Sequence, residues 1–434
     1  MLKCKFLLFL TLFQIAFNGY SQQDQNFTKS FIFSKYTNSI DTAVKQPLTY
    51  NEDLGYGFDF DTAENVNFEA DFVTTKSSFY FSVKVPEGNY KIEVDLIGSP
   101  ETTTTIKAES RRLMLKEWTP AKKENLQFSF SVNVRIPKIS DEKSIAIKAR
   151  DSNQLNWDNK LTLEFLGQPK VKKIKIVSDP SAKTIFLAGD STVTDQDLEP
   201  WASWGQFITN YFTEEVVIAN YAESGASLRS FKATNRFSKI LETMRPGDYL
   251  FIEFGHNDEK IKGEGNGAWG LYSNLLREFT KEFQERNGKV ILLTPTQRRA
   301  FNANGSLMDT HGDFPKAVRL AAKDMEIPLI DLTHFTTQMY NAWGDEGSRK
   351  AFVQYAANTF PGQTETLEDN THFNSFGANE IARVVVQEIK NQHLEIEGYL
   401  RDAIPAYDSK KPNSFNKWTL PMSPRFESKK PDGN

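Results

Sequence analysis

Four short segments carry side chains that could cooperate in nucleophilic catalysis. The first is Gly189-Asp190-Ser191-Thr192, directly after the apolar run Ile185-Phe186-Leu187-Ala188. A serine there stands at a strand's carboxyl end, where its own N–H can face an oxyanion. An Asp/Ser helix cap would use the same residues. The second segment, Asn220 to Ser227, holds Gly225, a residue that lets backbone approach a ligand closely or simply turns the chain. The third, Gly255-His256-Asn257-Asp258, offers the Asn257 amide as an oxyanion donor or as an Asx turn. The fourth, Asp369-Asn370-Thr371-His372, is the most telling. An Asp three residues before a His on one tight loop can turn its carboxylate back to Nδ1. That fixes the tautomer and leaves Nε2 free to take a serine proton. Each segment alone has an ordinary structural use, but four in this order, each at a strand end or before a helix, point to a serine hydrolase. A histidine base works only when neutral, so activity is expected to fall in acid.

The elements needed to position these loops are visible as a change of period. From about 27 to 178, apolar and polar residues alternate in short runs, such as Phe79 to Val85 and Gln127 to Ile136, broken by turns like Pro86-Glu87-Gly88-Asn89. That pattern predicts an all-β sandwich without a strong helix. The seam is expected at Ser178-Asp179-Pro180-Ser181. From Lys183, buried strands at 184–188, 215–219, 249–254, 290–293 and 327–332 alternate with helices at 203–212, 233–244, 270–286, 314–325 and 376–391. Alternation of this kind predicts an α/β three-layer domain with a parallel sheet, ligands binding at the strands' carboxyl ends. The tail after about 400 is rich in Pro, Lys and Ser and either wraps the surface or is loose.

Composition excludes several classes. Of 434 residues 39% are hydrophobic and 25% charged, with a net charge of −4, so a sizeable core is available. No basic tract suits a phosphate backbone, and no nucleic-acid partner is expected. The LysLys pairs near 122, 172, 410 and 429 are read as solvated surface. Residues 1–21 read as a signal peptide: Lys3 and Lys5, the apolar run Phe6 to Phe17, and cleavage near Ser21. The protein is therefore expected to be secreted or periplasmic. Removing Lys3 and Lys5 from 52 basic residues leaves 50 against 56 acidic ones, a charge of −6. Cys4 is the only cysteine and lies in that segment, so no disulfide or thiolate chemistry is expected. No later stretch is apolar enough to span a bilayer, and neither metal nor cofactor is expected. Gly265 to Gly270 fits G-x-G-x-x-G but does not open a helix after a strand, so a dinucleotide site is discounted.

The four segments resemble those of the SGNH, or GDSL-like, hydrolases, and among these the rhamnogalacturonan acetylesterases of carbohydrate esterase family 12. The resemblance covers roughly 183–392 and includes Pro200 to Gln206, Asp309 to Asp313 and Glu368 to Phe373. It implies a flavodoxin-like catalytic domain, here 183–395, with a tail at 396–434. It implies Ser191 as nucleophile, His372 as base and Asp369 as its orienter. It also implies an oxyanion hole of Ser191 N–H, Gly225 N–H and Asn257. The block reads GDST where the superfamily pattern has GDSL. Residues 22–178 resemble the sandwich, galactose-binding-like, that some bacterial members carry, through Gly55 to Phe58 and Ala108 to Arg112. The implied substrate is an acetylated polysaccharide of the pectic type. Candidate substrate contacts are Trp201, Trp204, Arg229, His256 and Arg298, with Arg299 able to grip a uronate and His311 able to line the cleft. The alternatives are an esterase or lipase acting on other acyl esters, and a non-catalytic carbohydrate-binding protein. Exposed aromatics of the first half, among them Tyr56, Phe58 and Trp118, are expected to be available to sugars. The second half alone is expected to cleave a small acetyl ester.

Overall fold

The computed structural model describes residues 27–36 and 41–432. The expected signal segment, its cleavage point and Cys4 lie outside the described residues. Among the described residues up to Ser178 the regular elements are strands, apart from short 3-10 turns at Thr62–Asn65 and Ala149–Asp151. One sheet places the strands 124–134, 88–98, 170–178, 28–33 and 42–44 side by side. A second orders 56–59, 78–84, 160–167, 104–108 and 112–118. Their inward residues, including Phe31, Phe33, Phe58, Phe79, Phe81, Ile92, Phe130, Phe165 and Ile174, form one buried cluster. The period-2 alternation read in the sequence is what puts them there. Phe58 is therefore core, and Tyr56 and Trp118 pack half-buried against it. The aromatics expected to face sugars belong to this packing instead.

A five-stranded parallel sheet follows, in the order 216–220, 183–189, 249–253, 289–293, 329–330. Its strands are buried on both faces, as apolar runs covered by helices must be. Ile185 and Leu187 point to one side, with the helices Trp204–Phe207, Leu332–Arg349 and Ser375–Asn391. Phe186 and Ala188 point to the other, with Leu228–Ala233, Arg236–Thr243, Ser273–Gln284 and Phe314–Asp324. Strand order reverses around 183–189, so the loops after 189, 220 and 253 open at one switch point.

Three local expectations change. The helix expected over 233–244 spans Arg236–Thr243, and a further helix, Leu228–Ala233, precedes it, with Asn235 between them in the left-handed region. The strand expected over 327–332 keeps only Leu329 and Ile330, because Asp331 accepts from the His334 N–H and starts a long helix. Asp369 and His372 lie within the strand Leu367–Phe373, paired irregularly with Phe352–Tyr355, and not on a free loop.

The two halves are locked together by buried charge. Arg112 donates to Asp195 at 2.7 Å with side-chain exposures of 1% and 0%. Arg111 donates to the Trp201 carbonyl at 2.7 Å and pairs with Glu199, which also faces Lys107. Arg135 reaches the Asn220 carbonyl and stacks on Trp157 and Tyr221. Leu113 of the first half joins the core of the second. Cutting at 180 would strip partners from Asp195 and Glu199. The expectation that the second half works alone has no support in this packing.

Candidate active site

Ser191 stands two residues beyond the end of the Lys183–Gly189 strand. Asp190 steadies the turn by accepting from the Thr192 N–H and hydroxyl at 3.0 and 2.9 Å. Ser191 Oγ lies 2.8 Å from His372 Nε2, and His372 Nδ1 lies 2.8 Å from Asp369 Oδ2. The other Asp369 oxygen accepts from the N–H groups of Thr371 and His372 at 2.7 and 2.8 Å. Burial works against an ionised Asp369, but these hydrogen bonds and the imidazole's charge outweigh it and hold the carboxyl well below its usual range. Arg299 secures the same segment by donating to the Asn370 side chain, while its own N–H bonds the Asn370 carbonyl. The sequence reading left Arg299 as a candidate uronate grip; the structure uses it as a clamp on the Asp369–His372 strand.

Gly225 has a φ of +79°, a conformation that strains any residue with a Cβ. Among the described residues no group takes up the N–H of Ser191 or of Gly225. Asn257 donates one amide hydrogen to the Ala226 carbonyl at 3.0 Å and accepts from Lys260. The second amide hydrogen remains for a ligand. The three groups expected as oxyanion donors thus lie on three adjacent loops at the switch point.

Of the other expected contacts, Trp201 packs edge-on against the His372 ring at 5.8 Å. Trp204 is fully buried, and its indole donates to Glu253 from beneath the loop. It presents no face to a sugar, so its expected role is corrected to support. His256 is likewise buried, 3.4 Å from Asp190, and burial pushes its imidazole down to about 4. It backs the Ser191 turn through Asp190. Arg298 pairs with Glu259 and donates to the His256 carbonyl at 3.2 Å. Arg229 is exposed on the first turn of its helix.

Three features escaped the sequence reading. Glu253, at the end of the central strand, accepts from Trp204, Thr192 and Thr296, and burial followed by the Asp190 charge pushes it up to about 8. Beside the Asn257 turn lies a groove of about 760 Å³ lined by Glu259, Lys262, Asn266, Trp269, His311 and Asp313 among others. Trp269 stands 55% exposed there, on the glycine-rich stretch set aside as a dinucleotide motif. Its signal was a tryptophan in a polar glycine loop. Finally, the tail reaches the site: Lys430 lies 3.2 Å from Asp369 Oδ2. The Lys429-Lys430 pair is thus more than solvated surface. Ser191 and His372 are only 2% and 1% exposed.

Among the described residues no cluster of three or more His, Cys, Asp or Glu could hold a metal, and no helix is long and apolar enough to cross a membrane.

A parallel sheet that gathers a buried serine, histidine and carboxylate at its switch point is the frame of a hydrolytic α/β enzyme. The chain belongs to the GDSL-like lipase/acylhydrolase family, whose model matches residues 187–379, and it is an esterase. It is 38% identical over 218 residues to a rhamnogalacturonan acetylesterase of Bacillus subtilis (strain 168), covering 50% of this chain and 93% of that one. A probable rhamnogalacturonan acetylesterase of the same organism is 31% identical over 218 residues, 50% of this chain and 96% of the relative. The uncharacterized esterase YxiM, also of Bacillus subtilis, is 24% identical over 411 residues, 89% of this chain and 97% of its own. Its crystal structure covers 85% of this chain and 99% of that one, with a TM-score of 0.45 at 22% identity.

Proposed function

We propose that this esterase removes O-acetyl groups from a pectic polysaccharide of the rhamnogalacturonan type by a Ser-His-Asp mechanism, outside the cytoplasm. The observation that carries the mechanism is the unbroken line from Ser191 Oγ through His372 to Asp369, with 2.8 Å at each step. The rhamnogalacturonan acetylesterase relatives support the substrate class. In this reading Ser191 Oγ attacks the acetyl carbonyl while His372 Nε2 takes its proton. Asp369 stabilises the imidazolium that forms. The N–H groups of Ser191 and Gly225 and the free amide hydrogen of Asn257 receive the oxyanion. His372 then gives the proton to the departing sugar oxygen, and water releases acetate by the same route.

A long acyl chain would need an apolar channel. The groove beside Asn257 offers Glu259, Lys260, Lys262, Asn266, Thr310 and Asp313, a lining suited to hydroxyl groups, with the indole of Trp269 for a sugar face. Residues 22–178 are read as a β-sandwich domain that braces the esterase domain and lends side chains to its rim.

The test is acetate release from acetylated pectic and hemicellulosic oligosaccharides by the full chain and by Ser191→Ala. The reading expects release from acetylated rhamnogalacturonan by the wild type and none by the variant. Comparable turnover by the variant would remove Ser191 from the role. Release from acylglycerols but from no acetylated saccharide would overturn the substrate.

A further inference from the structure

Two cations from the first half of the chain reach the rim of the site where nothing in the triad calls for them. Lys148 donates to the Ser224 carbonyl at 2.5 Å, one residue before Gly225. Arg150 stands beside it, its side chain mostly covered. Between them sits the carboxylate of Asp432, 3.2 Å from Arg150 Nη1 and 3.3 Å from Lys148 Nζ. The aspartate lies over Gly225: a Cβ added to that glycine would fall 2.9 Å from the Asp432 Cβ and 3.2 Å from Lys148 Nζ. A carboxylate therefore already rests within a few ångströms of the backbone that borders Ser191.

We infer that Lys148 and Arg150 form a subsite for the carboxylate of a uronic acid unit of the substrate, which Asp432 fills in the unliganded enzyme. The inference rests on the pectic reading above, since such a polymer carries galacturonate beside its acetylated hydroxyls. Three features favour a ligand site over a simple tail anchor. The tail is already fixed before it arrives: Glu427 N–H bonds the Glu199 carbonyl and the Glu427 carbonyl accepts from Trp201, while Arg150, besides donating to the Lys430 carbonyl at 3.1 Å, keeps donors toward the carboxylate. The neighbouring acids stand farther off than Asp432. Glu223 is 2.7 Å from Arg236 and 3.9 Å from Lys148, and Glu427 and Asp151 are 3.4 and 3.9 Å from Arg150. The subsite also has a planar guanidinium beside a point charge, which suits a carboxylate that must be oriented as well as attracted. A uronate entering here displaces Asp432 and uncovers Gly225 in one movement, so the polymer itself clears its own path.

The experiment is titration calorimetry of the full-length protein with trigalacturonate and with its methyl-esterified form. Trigalacturonate is expected to bind the wild type and the methyl ester to bind at least about tenfold more weakly, the loss of one charged hydrogen-bonded contact. Asp432→Asn, which removes the competitor, should tighten trigalacturonate several-fold. Arg150→Met should weaken it about tenfold, with Arg150→Lys intermediate. Equal binding of acid and ester overturns the inference. So does an affinity unmoved by both Asp432→Asn and Arg150→Met. Neither substitution lies in the core, and Asp432→Asn keeps the shape of the tail. Binding is read without hydrolysis, so failure of the pectic reading shows separately, as no acetate released from acetylated rhamnogalacturonan.

Discussion

At the scale of single residues, the site runs on hydrogen bonds that fix orientation. Asp369 uses one oxygen for backbone N–H groups and the other for His372, so it can neither rotate nor drift. Asp369→Asn should keep the shape but present the wrong tautomer, lowering kcat by on the order of 10⁴. Asn257→Ala should lower kcat by about 10²–10³ with little change in KM, because an oxyanion donor acts on the transition state; steady-state kinetics on p-nitrophenyl acetate reads both. Glu253 gives a pH signature. Burial raises it to about 8 in the fold, and Asp258 likewise, against about 4 for free carboxyls. The folded state then holds protons that the unfolded chain has released. Stability is fullest below the unfolded pKa and is lost as pH rises from about 4 to about 8. The drop in Tm across that window should be smaller in Glu253→Gln than in the wild type. The hydrogen-bonded line of Ser191, His372 and Asp369 was legible because Asp369 and His372 are three residues apart and Ser191 follows an apolar strand. The places of Glu253 and Lys148 were not, since only the fold brings them to Thr192 and Ser224.

At the scale of elements, three adjacent strand ends supply the proposed nucleophile and oxyanion donors. Loops around them supply the proposed substrate contacts. Trp269→Ala should raise KM several-fold for polymeric substrate and leave the small ester unchanged, because the exposed indole lies in the groove and away from the triad. Initial rates on both substrates check this. The strands of the parallel sheet were readable as apolar runs, and the helices 314–324 and 375–391 as apolar stripes. The helix Leu332–Arg349 was not, because Thr, Gln, Asn and Gly dilute its apolar face and Gly344 kinks it at a φ of +71°. The tail carried no periodicity to reveal its path. It is held by single contacts such as Trp418 on Ser375, Ser423 on Glu164 and Glu427 on Glu199.

At the scale of the whole molecule, two sheets' worth of alternating strands and one parallel sheet behave as a single body. The change of period at Lys183 showed that there are two parts. It did not show how they mate, because Arg111 and Arg112 stood out only as part of a resembling segment, Lys107 not at all, and burial of a charge leaves no mark in the sequence. Removing one partner of such a pair leaves the other stranded: Arg112→Ala should cost about 3–5 kcal/mol, read by denaturant unfolding, with both halves lost in one transition. The fragment from about 180 onward should fail to fold by circular dichroism. The same burial has a consequence for ionic conditions. Counter-ions cannot reach Arg112 and Asp195, so the union of the halves should be indifferent to added salt. Lys430, 45% exposed beside Asp369, and Asp432, 42% exposed between Lys148 and Arg150, are open to ions. Brine or seawater would thus slacken the covering of the active site while leaving the scaffold untouched, and the enzyme would open without loosening.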